Sequence, residues 1–132
     1  MTEAEIMRAV QVRASQLGAR LFRNNVGMGW TGQAHQPTRS EVLTVGLGDV
    51  VIFGARRIRF GLGEGSGDLT GWTPVEVGGR KLAVFTSVEV KSETGRLTNA
   101  QRAWMDVVEV SGGIAGVVRG PEALEGLLGR VP

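Results

Sequence analysis

Apolar residues recur at helical spacing near the start of the chain. Met7, Val10, Ala14 and Leu17, with Ile6 alongside, form one stripe, so Thr2 to Leu17 reads as a helix that Gly18 ends. Thr2 and Glu5 stand at capping-box spacing. Leu21 to Val26 is a short strand candidate, and Gly27 to Ser40, glycine- and polar-rich with Pro37, predicts a loop. Val42–Val45, Asp49–Phe53 and Arg57–Phe60 alternate or run apolar, and Gly54-Ala55 could turn the last two into a hairpin. Past the alternating Gly61, Gly63, Gly65 and Gly67, the stretches Asp68–Val77 and Arg80–Lys91 flank Gly78-Gly79 and predict a long hairpin.

Glu93–Arg96 reads as a loop. A second helix is expected from Thr98 to Val110, with Trp104, Met105 and Val108 on one face and Gly112-Gly113 as its stop. Ile114–Arg119 is a buried-type strand, and Pro121 opens a short helix through Leu128. The order α-β-(insert)-β-β-α-β-α predicts one α/β domain over residues 1–132, with a mixed central sheet flanked by helices and an insert at about 29–60.

Composition narrows the chemistry. With no cysteine there can be no disulfide, thiolate nucleophile or Cys-ligated zinc. His35 is the only imidazole, which excludes multi-His metal sites, and the lack of tyrosine excludes a tyrosyl nucleophile. Within its polar loop His35 reads as a surface residue. Fifteen basic and 13 acidic residues leave a net charge of only +2. Thirteen of the basic residues are arginine, which suits phosphate contact but equally reflects compositional bias. Glycine, 21 of 132 residues, implies many turns rather than disorder, because apolar runs separate the glycines. No apolar run approaches a membrane span, and the acidic start Met1-Thr2-Glu3-Ala4-Glu5 does not resemble a signal peptide. A cytoplasmic protein is the expectation.

The most informative segment is Ser87-Val88-Glu89-Val90-Lys91. In a strand Glu89 and Lys91 share a face ~6.6–6.8 Å apart, while Val88 and Val90 point the other way. An acid and a lysine at a strand end can bind a hard cation and orient a water; a solvated strand face with an incidental ion pair is the plainer explanation. Asp68 sits on the other arm of the hairpin, where antiparallel pairing would bring it near Glu89. Two adjacent carboxylates repel unless a cation or proton lies between them, and such oxygen ligands suit Mg²⁺ or Mn²⁺. Asp49 is the rival carboxylate, opening another apolar strand.

Two further polar residues fall on core-facing stripes. Glu3 extends the stripe of the first helix, and Gln101 joins that of Trp104, Met105 and Val108. Buried polar groups need partners. Gln101 could instead close a capping box with Thr98, and Glu3 could lie on a frayed terminus. Arg56, Arg57 and Arg59 could be a phosphate-binding patch or a solvated strand edge. Gly61 to Gly67 does not make a phosphate cradle, since position 66 is Ser and no G-K-[ST] follows.

Asp68 followed by Glu89-Val90-Lys91, on a hairpin preceding a helix, resembles the PD-(D/E)xK nuclease superfamily, and within it a stand-alone VRR-NUC (virus-type replication-repair nuclease) domain. Four stretches carry the resemblance: Glu3-x-x-Ile6, Arg23-Asn24-Asn25-Val26-Gly27, Gly65 to Gly71, and Glu89-Val90-Lys91 through Gly95-Arg96-Leu97-Thr98 to Gln101. Gly112-Gly113 to Val118-Arg119 fits the family's closing strand. The resemblance implies a restriction-endonuclease-like core and divalent-metal-dependent hydrolysis of DNA phosphodiesters. Asp68 and Glu89 would hold Mg²⁺ or Mn²⁺ with Glu3 assisting, Lys91 would position or polarise the attacking water, and Gln101 would support the site. The family's usual proline before the aspartate is Gly67 here. Stand-alone members resemble Holliday-junction resolvases, which implies a homodimer acting on branched DNA. A nicking or restriction-type nuclease, and a non-catalytic DNA-binding module on the same fold, are the alternatives.

Overall fold

The computed structural model describes residues 1–35 and 38–130; Pro37, which entered the loop expectation, lies outside the described residues. In chain order the elements are α1 (Glu3–Gln16), β1 (Arg20–Arg23), β2 (Gly27–Ala34), β3 (Ile52–Phe60), β4 (Leu69–Val77), β5 (Arg80–Val90), α2 (Asn99–Val110), β6 (Ile114–Val118), a 3₁₀ turn (Pro121–Ala123) and α3 (Leu124–Leu128). Two compact units emerge: Met1–Asn25 with Leu62–Pro132, and Val26–Gly61.

The first unit is built on a four-stranded sheet in the order β1-β4-β5-β6. β1 with β4 and β4 with β5 are antiparallel, and β5 with β6 is parallel, so the sheet is mixed. Gly78 and Gly79, both at positive φ, make the two-residue turn between β4 and β5. The parallel pair needs a crossover, which α2 supplies. On one face Leu21, Leu69, Val88, Val90, Ile114 and Val118 pack against Ile6, Val10 and Ala14 of α1 and Leu124, Leu127 and Leu128 of α3. These buried aliphatic side chains supply the main stabilisation, at about 1.5–3 kcal/mol each. Both longer helices start at the expected capping boxes. Thr2 accepts from the Glu5 N–H and Glu5 from the Thr2 N–H, and Thr98 and Gln101 repeat the pattern. No helix among the described residues is long and apolar enough to cross a membrane.

The second unit departs from the sequence expectation. Gly27–Ala34, expected as a loop, is a strand paired antiparallel with β3. Met28 and Trp30 do alternate, but the glycines between them hide the period, and backbone pairing makes no demand on side-chain polarity. Gly54-Ala55 does not turn the chain. It lies inside β3, where Gly54 at φ +60° forms a bulge as the register shifts between Thr31 and Gln33. Val42–Val45 is not a strand; without a pairing partner its valines stay exposed. Asp49 sits in a turn, its Oδ2 accepting from the Gly46 N–H at 2.6 Å. His35 is partly buried edge-on against Phe53 and paired with Glu41, rather than lying free on the surface. Leu21–Val26 shortens to β1, because Asn24 leaves the sheet to bind the loop described below.

The core predicts a sharp contrast between two substitutions. Leu69, with no exposed surface, belongs to the sheet–helix core, whereas Val110 is 90% exposed at the end of α2. Leu69→Ala should cost about 2–5 kcal/mol and Val110→Ala under about 0.5 kcal/mol, read from urea unfolding midpoints. Equal losses would contradict the assigned core.

Candidate active site

The β4–β5 register places the two central carboxylates. Leu69 pairs with Val88, so Asp68, one residue before β4, falls opposite Glu89. Asp68 Oδ2 accepts a hydrogen bond of 2.8 Å from the Val90 N–H, which holds its carboxylate beside the strand that carries Glu89. Because Val88 and Val90 point into the core, Glu89 and Lys91 emerge on the opposite face. There α2 lies over β5, with Trp104 Nε1 donating to Ser87 Oγ at 2.9 Å.

Glu89 is only 4% exposed. Its Oε1 receives Lys91 Nζ at 3.1 Å and Gln101 Nε2 at 2.6 Å. Lys91 is itself mostly buried, so the solvated ion pair considered from sequence is not what forms. Burial raises the Glu89 pKa above its ordinary value and the charge of Asp68 raises it further, while Lys91 pulls it down. Two like charges ~4 Å apart cost about 4 kcal/mol at an effective dielectric of 20. One lysine against two carboxylates leaves a negative excess in a place with little water to screen it.

Gln101 makes two contacts at once. Its Oε1 accepts from the Thr98 N–H at 2.9 Å to close the α2 capping box, and its amide nitrogen reaches Glu89. An amide has a donor and an acceptor end, so the two contacts do not compete. Glu3 is exposed, and its Oε1 accepts from the Ser92 N–H at 3.2 Å, one residue beyond Lys91. The structure thus brings together Asp68, Glu89, Lys91 and Gln101, and places Glu3 beside the strand end. Among the described residues, no three acidic or histidine side chains are grouped as a ready metal cage.

Three supporting residues had no role assigned from sequence. Asn24 donates through Nδ2 to Ser66 Oγ at 2.8 Å and to the Gly67 carbonyl at 2.9 Å, and accepts from the Leu62 N–H at 3.1 Å. Its own N–H donates to the Asp68 carbonyl at 2.8 Å, so it pins the loop that delivers Asp68. Arg119 donates to the carbonyls of Ser92 and Glu93, tying down the turn after Lys91. Trp104 anchors α2 to the sheet through Ser87. The one available signal was Asn24-Asn25 directly after a strand, since Asn commonly binds local backbone. Gly67 also has a structural reason: a Cβ there would lie 2.6 Å from Ser87 Oγ and 2.9 Å from the Val88 carbonyl oxygen. That close approach leaves no room for a proline ring.

Of the four grouped residues, Asp68 and Glu89 have carboxylate oxygens that can coordinate a hard cation. A buried Glu89 beside a half-buried Asp68, with excess negative charge, fits a divalent ion of the Mg²⁺ class, which needs few protein ligands and retains waters. A family model described as the VRR-NUC domain matches residues 32–122, more than half of the chain, and that span contains Asp68, Glu89, Lys91 and Gln101. No curated protein matches the chain.

The raised pKa of Glu89 has a measurable consequence. In metal-free protein its contribution to stability is present at acid pH and is lost as pH rises through the folded-state pKa. Glu89→Gln removes that loss. In EDTA, the melting temperature of the variant relative to wild type should therefore be most favourable at about pH 8 and decline toward about pH 4. A difference that is flat with pH, or that runs the other way, contradicts the assignment.

Proposed function

The chain belongs to the VRR-NUC family, and from that premise we propose that it is a divalent-metal-dependent DNA endonuclease with its active site at Asp68, Glu89, Lys91 and Gln101. The family is one of nuclease domains, so a nuclease acting on DNA is the coarse reading. The single observation behind the finer one is the buried Glu89 held between Lys91 and Gln101 with Asp68 alongside. We read the mixed sheet as a PD-(D/E)xK core, with residues 26–61 as an insert in one nuclease domain.

Asp68 and Glu89 would hold Mg²⁺ or Mn²⁺, with Glu3 assisting from α1 at the adjacent strand end. When bound, such an ion supplies polarisation of the phosphoryl oxygen and lowers the pKa of a coordinated water. The residues of the chain prepare that chemistry. The Val90 N–H fixes the Asp68 carboxylate, and the Gln101 amide fixes Oε1 of Glu89, so neither side chain must reorganise on binding. Lys91 Nζ lies 3.1 Å from Glu89 Oε1. There it orients the attacking water and offsets the charge that builds on the phosphoryl oxygens. Water attacks phosphorus and loses a proton to solvent, the P–O bond to the leaving strand breaks, and the departing oxygen takes up a proton from solvent to end as a hydroxyl.

Branched DNA as substrate and a homodimer as the working form follow from the likeness of stand-alone VRR-NUC proteins to Holliday-junction resolvases. A two-fold dimer would present two such sites to two strands.

The test is cleavage of end-labelled linear, flap and four-way-junction DNA with Mg²⁺ or Mn²⁺ and with EDTA. Wild type should cut only with the metal and prefer the branched forms. Lys91→Ala should lose about 10²-fold or more in rate while still binding DNA. Cutting by Lys91→Ala at the wild-type rate would overturn the site. Folded wild-type protein that binds these DNAs and cuts none would favour the non-catalytic binding module.

A further inference from the structure

The antiparallel ribbon of β2 and β3 is chemically distinct from the carboxylate site. Directly paired residues share a face of the ribbon, and Met28 faces Arg59 while Trp30 faces Arg57. The Arg57 guanidinium carbon lies over the Trp30 ring, 5.7 Å from its centre, a cation–π pair. Trp30 is nevertheless 61% exposed and Met28 49%. Arg56, Arg57 and Arg59 are all exposed, and neither strand contains an acidic residue. The other face carries Ile58 and Phe60, whose ring covers Gly27 and Gly29, with Arg56 opposite Thr31 further along.

A strand edge that needed only to stay soluble would carry charges without exposing a tryptophan among them. An arginine pair with uncovered Trp and Met, and no carboxylate on either strand to neutralise it, fits a polyanion. Arg donors match phosphate oxygens in a fork, and a two-stranded ribbon is of a size that the major groove of B-form DNA admits. We propose that the β2–β3 ribbon is a duplex-DNA-binding surface in its own right, with Arg57 and Arg59 contacting backbone phosphates and Trp30 holding Arg57 in position. This rests on the reading of the protein as acting on DNA, and assigns a partner to a face that cleavage chemistry does not need.

The experiment is fluorescence anisotropy with a labelled linear duplex, in EDTA so that binding is read without cleavage, between about 50 and about 200 mM KCl. Each phosphate contact contributes about 0.9 to the slope of log affinity against log salt. Arg57→Gln with Arg59→Gln should flatten that slope by about 1.8. Arg57→Lys with Arg59→Lys should restore it. Arg80→Gln with Lys81→Gln, an equal charge loss at the β4–β5 turn, should leave it nearly unchanged. A wild-type slope in the glutamine pair, an equal loss in the Arg80 and Lys81 pair, no restoration by lysine, or no duplex binding by wild type would each overturn the proposal. Failure of the nuclease reading looks different: wild type would cut nothing with metal while the slope difference persisted.

Discussion

A carboxylate that is almost entirely buried must have its charge answered from nearby, and much of this structure is arranged around that requirement at Glu89. The Lys91 ammonium and the Gln101 amide converge on one of its oxygens, and Asp68 adds a second negative charge beside it. Two carboxylates and one lysine are not neutral, and burial strengthens the imbalance. Such an arrangement is tolerated when a cation completes it, which connects the electrostatics of the site to its proposed chemistry.

Each contributor is delivered by a different part of the first unit. The two-residue turn at Gly78-Gly79 sets the β4–β5 register that carries Asp68 to Glu89. The α2 capping box orients Gln101, so one side chain both starts the helix and supports the site. Asn24 ties the incoming loop to the end of β1, and Arg119 ties the outgoing turn to β6. The face packed by α1 and α3 carries the aliphatic core, while the face under α2 holds the polar groups of the site. Gly67 lets the loop approach β5 more closely than a residue with a Cβ could.

The parts legible from sequence were those governed by local rules with a fixed period. Alternation along Ser87–Lys91 put the valines inward and the charged residues together. Once a two-residue turn joined Val77 to Arg80, every further pair of the hairpin was set, which is why two residues far apart in the chain could be matched. The capping boxes at Thr2 and Thr98 followed from spacing alone. The ribbon was not legible, because glycines interrupt its alternation and the bulge at Gly54 looks like a turn in a single sequence. Asn24 and Arg119 stood in stretches that carry the family resemblance, but their contacts were not legible: most of their partners are backbone groups of distant segments, and a polar residue that binds backbone leaves no pattern along the chain. Glu3 stood on the expected stripe, yet its partner, the Ser92 N–H, is a matter of tertiary placement.

The central claim is that the Asp68–Glu89 pair is a cation site, and calorimetric titration of metal-free protein with Mn²⁺ tests it without reference to DNA or turnover. Wild type should bind the ion with saturable heat, and Glu89→Gln, which keeps the shape of the side chain and one acceptor oxygen but not its charge, should bind at least about tenfold more weakly, a loss of about 1.4 kcal/mol. Equal binding by the two proteins would mean that the Asp68–Glu89 pair does not hold the metal.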